Sequence, residues 1–95
     1  MEIKLYECVG TFAENKDIAK EIRINKIIPS LESGEEVTLD FEKVKSATQS
    51  FVHALISDVI RKNGIKILDK VYFKNCNDTI KKIIESVMEY MQNHS

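Results

Sequence analysis

The chain has 95 residues, 43% hydrophobic and 31% charged, with three glycines and one proline, a balance that excludes intrinsic disorder and fibrous repeats and predicts a single domain over residues 1–95. Fourteen basic residues against fifteen acidic ones leave a formal net charge of −1, so no global field draws the chain to nucleic acid or to an anionic membrane. A domain of this size closes no deep cavity, and its functional site is expected on the surface.

Apolar runs such as Ala54-Leu55-Ile56 fall far short of the roughly 20 residues that span a bilayer. The N-terminus, MEIKLYECVG, carries Glu2 and Lys4 and has no apolar h-region, so it does not read as a secretory signal. A cytoplasmic location is therefore expected. Cys8 and Cys76 form no CxxC pair and are expected as free thiols in a reducing compartment. No motif supports a metal or a cofactor.

Taken in chain order, Ile3 to Val9 alternates, with Ile3, Leu5 and Glu7 on one side and Lys4, Tyr6 and Cys8 on the other. That pattern predicts a strand ended by Gly10-Thr11. Asn15 is placed to cap a helix with Asp17 in its first turn and Ile18, Ala19 and Ile22 on its apolar stripe. The next apolar set, Ile24, Ile27, Ile28 and Leu31, lies on another stripe, and Pro29 disfavours helical angles at Ile28. A break near Asn25 to Ile28 is predicted, followed by a short helical piece from Pro29 to Glu32 that ends near Gly34.

From Glu36 to Val44, Val37, Leu39 and Phe41 alternate with Thr38, Asp40 and Glu42, as expected of a central strand. Phe51, Val52, Ala54, Leu55, Ile56, Val59 and Ile60 then cover a wide arc of a helix that ends at Asn63-Gly64. Ile65 to Leu68 and Val71 to Phe73 supply one more strand, interrupted at Leu68 to Lys70. Asn77 caps a last helix whose stripe is Ile80, Ile83, Ile84, Val87, Met88 and Met91. The order β-α-β-α-β-α predicts an α/β domain, a mostly parallel sheet with right-handed crossover helices. In such sheets sites gather at the carboxyl ends of the strands, which are here the loops Cys8 to Thr11, Val44 to Ser50 and Lys74 to Asn77.

The second of these loops is the most distinctive. Ser46-Ala47-Thr48-Gln49 matches the S-x-x-Q capping box, with Ser46 accepting from the Gln49 amide, and Thr48 is the alternative cap. Ser46, Thr48 and Ser50 crowd three hydroxyls at the positive end of a helix, where a phosphate group is favoured; satisfying orphan amides is the plainer use. Spacing also places Ser50, His53, Ser57 and Arg61 in one polar stripe, which a solvated helix face explains equally well. Catalysis by Ser50 with His53 is disfavoured, because residues three apart on one helix do not reach the in-line geometry and no nucleophile elbow is present.

Elsewhere the chemistry is sparse. Cys76 is expected at a helix N-terminus, where a thiol pKa can fall, and no resolving thiol is near it. His94 reads as a surface residue of the tail, and Lys74, Lys81 and Lys82 as a solvated basic face without aromatic interleaving. Tyr90 and Met91 would serve core packing or a homodimer.

The order of elements and the segment VTLDFEKVKSATQSFVHALI resemble the STAS domain, named for sulfate transporters and anti-sigma-factor antagonists, over most of the chain. LDF-x-x-V followed by Gln49-Ser50-Phe51 more closely resembles the bacterial STAS-like domains of unknown function that carry such a triplet at the strand-to-helix turn. In the antagonists this turn reads Asp-Ser-Ser-Gly, and a partner kinase of the GHKL ATPase type phosphorylates its second serine. Aligned without gaps, Ser50 falls on the phosphoacceptor, while Thr48 stands in place of the aspartate, Gln49 of the first serine and Phe51 of the glycine. The resemblance implies a non-catalytic regulatory module that docks an ATPase or kinase-like partner through Thr48, Gln49, Ser50, His53, Ser57 and Arg61, with binding switched by phosphorylation at Ser50. The alternative is a small-ligand sensor holding a nucleotide or anion near Gly10, Thr48 and Asn75.

Overall fold

A computed structural model describes residues 1–94 and, of His94, the backbone alone; the reading of His94 as a surface side chain therefore lies outside the described residues. The chain runs β1 (Glu2–Lys4), α1 (Leu5–Val9), β2 (Phe12–Ala13), α2 (Lys16–Ile22), α3 (Ile28–Glu32), β3 (Val37–Asp40), β4 (Ser46–Ala47), α4 (Gln49–Asn63), β5 (Val71–Lys74) and α5 (Asp78–His94). Strands β1, β3 and β5 form a parallel sheet with β3 in the centre, in the register Ile3, Leu39, Phe73 across one row and Lys4, Asp40, Lys74 across the next. A second parallel pair joins β2 to β4, Phe12 opposite Ser46 and Ala13 opposite Ala47. The α/β class and the parallel sheet read from the sequence are what the chain forms.

The apolar face of the sheet, with Ile3, Val37, Leu39 and Val71 buried, meets the buried sides of α4 and α5. Phe51, Val52, Leu55, Ile56, Val59 and Ile60 of α4 all lie inside, as their wide arc requires. Gly64 closes that helix with a positive φ of 78° and a bond from its N–H to the Ile60 carbonyl, the C-terminal conformation expected at Asn63-Gly64. Asn15 caps α2 by accepting from the amides of Asp17 (3.0 Å) and Ile18 (3.3 Å), and Asn77 caps α5 by accepting from Ile80 (2.9 Å).

Four local expectations are corrected. The strand expected over Ile3 to Val9 stops at Lys4 and turns helical, because Leu5, Cys8 and Val9 stand at i, i+3 and i+4 and can all face the core, whereas continued alternation would bury Glu7. The predicted break at Asn25 to Ile28 is a π-helical turn, Arg23–Ile27, in which the Ile28 N–H bonds the Arg23 carbonyl. The extra residue in that turn rotates the helix so that Ile22 and Ile27 are both buried, which joins the two apolar stripes without leaving helical structure. The central strand ends at Asp40 instead of Val44, because the Asp40 carboxylate accepts from the Glu42 amide (2.9 Å) and Lys43 takes a φ of +70°. Ile65 to Lys70 forms a 3-10 turn in place of a strand, leaving Ile65 exposed and Ile67 and Leu68 half-buried.

The π turn also carries a buried ion pair. Arg23 is almost fully buried; its guanidinium donates to the Ala54 carbonyl at 2.8 Å and pairs with Asp58 at 3.3 Å, while its Nε has no hydrogen-bond partner. Removing Asp58 leaves the buried Arg23 charge uncompensated, whereas removing Arg23 leaves Asp58 partly in solvent and still paired with Arg61 at 3.3 Å. Because Asp58 is 38% exposed, Asp58→Ala should cost about 1–2 kcal/mol of stability in urea unfolding and Arg23→Met less than about 1 kcal/mol. The reverse order would contradict this account of the pair.

Candidate functional site

The turn between β4 and α4 is clamped from both sides. Thr11 O accepts from Lys45 N (2.7 Å) and Ser46 N (3.3 Å), and Ala13 O accepts from Thr48 N (2.9 Å), so the short β2 strand sets where the turn lies. Gly10 adopts a φ of +74° at the end of α1, which lets the chain reverse into β2. Thr48 is the N-cap of α4, its hydroxyl accepting from the Phe51 amide at 3.1 Å. The Ser46–Gln49 capping box does not form, because Ser46 belongs to β4 and lies too early in the chain to cap.

With Thr48 as cap, Gln49 and Ser50 occupy the first two helical positions, and both are exposed. They open onto a groove of about 460 Å³ between α4 and α5, lined by Lys16, Gln49, Ser50, His53, Ala54, Ser86, Val87 and Tyr90. The His53 ring stands edge-on to that of Tyr90, centroids 6.0 Å apart at an interplanar angle of 71°, a favourable aromatic geometry. No carboxylate lines this groove among the described residues, so Ser50 and His53 have no acid to complete a charge-relay arrangement there.

The rest of the polar stripe is not a continuous solvent face. Ser57 is only 4% exposed, because α2 and the π turn pack over that part of α4. Arg61 is exposed and shares Asp58 with Arg23 at 3.3 Å. Eleven residues separate Ser50 from Arg61, about 16 Å along the helix, so the groove holds Gln49, Ser50 and His53 and not the other two. Lys16, Ser86 and Tyr90 come to the site from α2 and α5, and the sequence offered no spacing that relates them to Ser50. Tyr90, 52% exposed, was visible only as an aromatic residue near the end of the last helix, while Met91 beside it is buried.

The three carboxyl-end loops meet as expected of a parallel sheet. Lys45 is bonded to Thr11 through its amide and to the Asn77 side chain through its carbonyl (2.9 Å). Asn75, in a left-handed conformation with φ +59°, donates to Asp40 at 2.9 Å. A second groove of about 440 Å³ lies here, lined by Thr11, Lys43, Lys45, Asn75 and Asn77 among others. Of the three residues considered for a nucleotide or anion, Asn75 lines it, Thr48 spends its hydroxyl on the helix cap and Gly10 lies at the end of α1.

Cys76 precedes the Asn77 cap instead of entering the helix, and burial pushes its thiol pKa up, so the residue is held as the thiol. Cys8 and Cys76 are both free. No helix of the described residues is long and apolar enough to cross a membrane, and no group of three metal-ligating side chains occurs among them.

The family model described as STAS-like domain of unknown function (DUF4325) matches residues 18–81. The chain belongs to this STAS-like family. Within the STAS-like domain the matched segment begins in α2, contains the whole β3–β4–α4 unit and ends in the first turn of α5. Ser50 therefore lies inside the matched region, as do Arg23 and Asp40. No curated protein and no solved structure gives a significant match.

Asp40 offers a direct check on how firmly the loops are joined. The bond from Asn75, reinforced by the Glu42 amide and by Lys74 and Lys4, holds its carboxyl below the ordinary value of 3.8. A carboxylate whose folded pKa is depressed contributes stability above its unfolded value and loses it as pH falls through the folded one. Stability of the wild type should therefore decline on acidification below 3.8. Asp40→Asn should lower stability at neutral pH and flatten that decline in denaturant titrations. Parallel pH profiles for the two proteins would contradict the assignment.

Proposed function

We propose that this STAS-like domain is a non-catalytic regulatory module that docks an ATPase or kinase-like partner through the β4–α4 turn and the groove beside it, and that phosphorylation at Ser50 switches the contact. One observation carries the reading: Ser50 is an exposed hydroxyl at the second position of α4, on the rim of a groove lined by polar, aromatic and apolar side chains together. Family membership supports the regulatory class, and the resemblance of the turn to that of the anti-sigma-factor antagonists supports the serine and a GHKL-type partner. Thr48, Gln49, Ser50 and His53 would form the contact. Ser57 and Arg61 would act from behind it, through the packing of α4.

In the phosphorylation step the Ser50 oxygen takes the γ-phosphoryl group of ATP and loses its proton, and ADP leaves. The product carries about −1.5 to −2 charge where the partner must exclude water, enough to break a docked complex through desolvation and repulsion. The same charge is favourable for the domain itself, since it lies at the positive end of α4.

Docking and stability should thus respond in opposite senses. In a pull-down against a GHKL-type ATPase, Ser50→Ala should bind and Ser50→Asp should lose most of its binding. In thermal unfolding Ser50→Asp should be the more stable of the two, by about 0.3–1 kcal/mol at low ionic strength. Equal capture of both variants would sink the switch.

A further inference from the structure

We infer that Lys16 is the internal counter-ion of phosphorylated Ser50, drawing the phosphate toward the α2 side of the groove between α4 and α5 so that the modified serine is held against its own domain. The inference rests on the reading of Ser50 as the regulated residue and adds what that reading lacks, a place for the phosphate to go.

Lys16 and Ser50 line the same groove although they lie on different helices. Lys16 is exposed and makes no ion pair among the described residues, whose pairs are Arg23–Asp58, Arg61–Asp58 and Lys74–Glu2. It is also the first residue of α2, directly after the Asn15 cap, so its charge stands against the positive end of that helix dipole. An anion beside it relieves that conflict. With no carboxylate in the groove lining, nothing within it competes with a phosphate for the ammonium.

The surrounding groups suit a phosphate as well. The Phe51 amide is already taken by Thr48, but Gln49 and Ser50 lie in the first turn of α4, where amides have no partner within the helix. The Ser86 hydroxyl and the Gln49 side chain, both on the groove, can donate. His53, edge-on to Tyr90, forms part of the same lining. Phosphate oxygens accept up to three charge-assisted hydrogen bonds in such a setting. The clasp also explains release of a partner beyond repulsion alone, because the phosphate occupies the cation and fills the groove.

The test uses the full chain with phosphoserine installed at position 50 during synthesis, so its outcome does not depend on any kinase. Thermal midpoints are compared, with and without the phosphate, for the wild type, Lys16→Arg and Lys16→Met. Phosphate should raise the midpoint by about 3–6 °C in the wild type and in Lys16→Arg, and by no more than half as much in Lys16→Met. The difference should vanish in about 1 M salt. Equal increments in all three proteins would leave only the dipole of α4 acting on the phosphate and would overturn the clasp. A failure of the docking reading appears separately, as equal capture of phosphorylated and unphosphorylated protein by the GHKL-type ATPase.

Discussion

The parallel pairing of β3 on both of its edges is the constraint from which the rest of the domain follows. Parallel neighbours cannot be joined by a tight turn, so the chain must leave the sheet after β1 and again after β3 and return from the other end. The first excursion runs through α1, β2, α2, the π turn and α3; the second runs through β4, α4 and the 3-10 turn. Both are obliged to be apolar where they cross the sheet, and the buried sets of Ile22 with Ile27 and of Phe51 through Ile60 satisfy that demand. The register that aligns Lys4, Asp40 and Lys74 also brings the strands' carboxyl ends to one edge, where the loops are tied by Asp40, Asn75 and Asn77.

The second sheet is far smaller, yet it decides where the candidate site points. β2 and β4 contribute two residues each, too few to be stable alone, and they are supported by α1 against β2 and α5 against β4. Their bonds fix the turn before α4, and so place the Thr48 cap, and Ser50 two residues on, at the mouth of the groove. The site is thus built on regular elements at both ends, which gives an exposed serine a defined orientation.

Charge is distributed unevenly around α4. Toward its middle, the buried Arg23 is tied to Asp58 and to the Ala54 carbonyl, a contact that locks α2 and the π turn against it. Toward its start, Lys16 faces a groove with no acidic lining. Arg23 holds two helices together, while Lys16, on the same α2 side, lines the groove without an ion pair among the described residues. On a chain with a formal net charge of −1, a local cationic groove of this kind arises from arrangement alone.

Much of the architecture could be read from residue order. Alternation in Val37 to Asp40, the broad apolar arc of α4, the caps at Asn15 and Asn77 and the terminator at Gly64 are local signals, because each depends on neighbours within one turn of helix or a few residues of strand. The family resemblance carried by LDF-x-x-V and Gln49-Ser50-Phe51 was likewise legible. What only the tertiary structure decided were matters of competition and of distance. Whether Leu5 continues a strand or starts a helix depends on which arrangement buries Cys8 and Val9 and spares Glu7. Whether Ser46 or Thr48 caps α4 depends on β2 claiming Ser46. The burial of Ser57 and the meeting of Lys16, Ser86 and Tyr90 with Ser50 arise because the packing of three helices brings together side chains from separate parts of the chain, a relation that no spacing along one helix can contain.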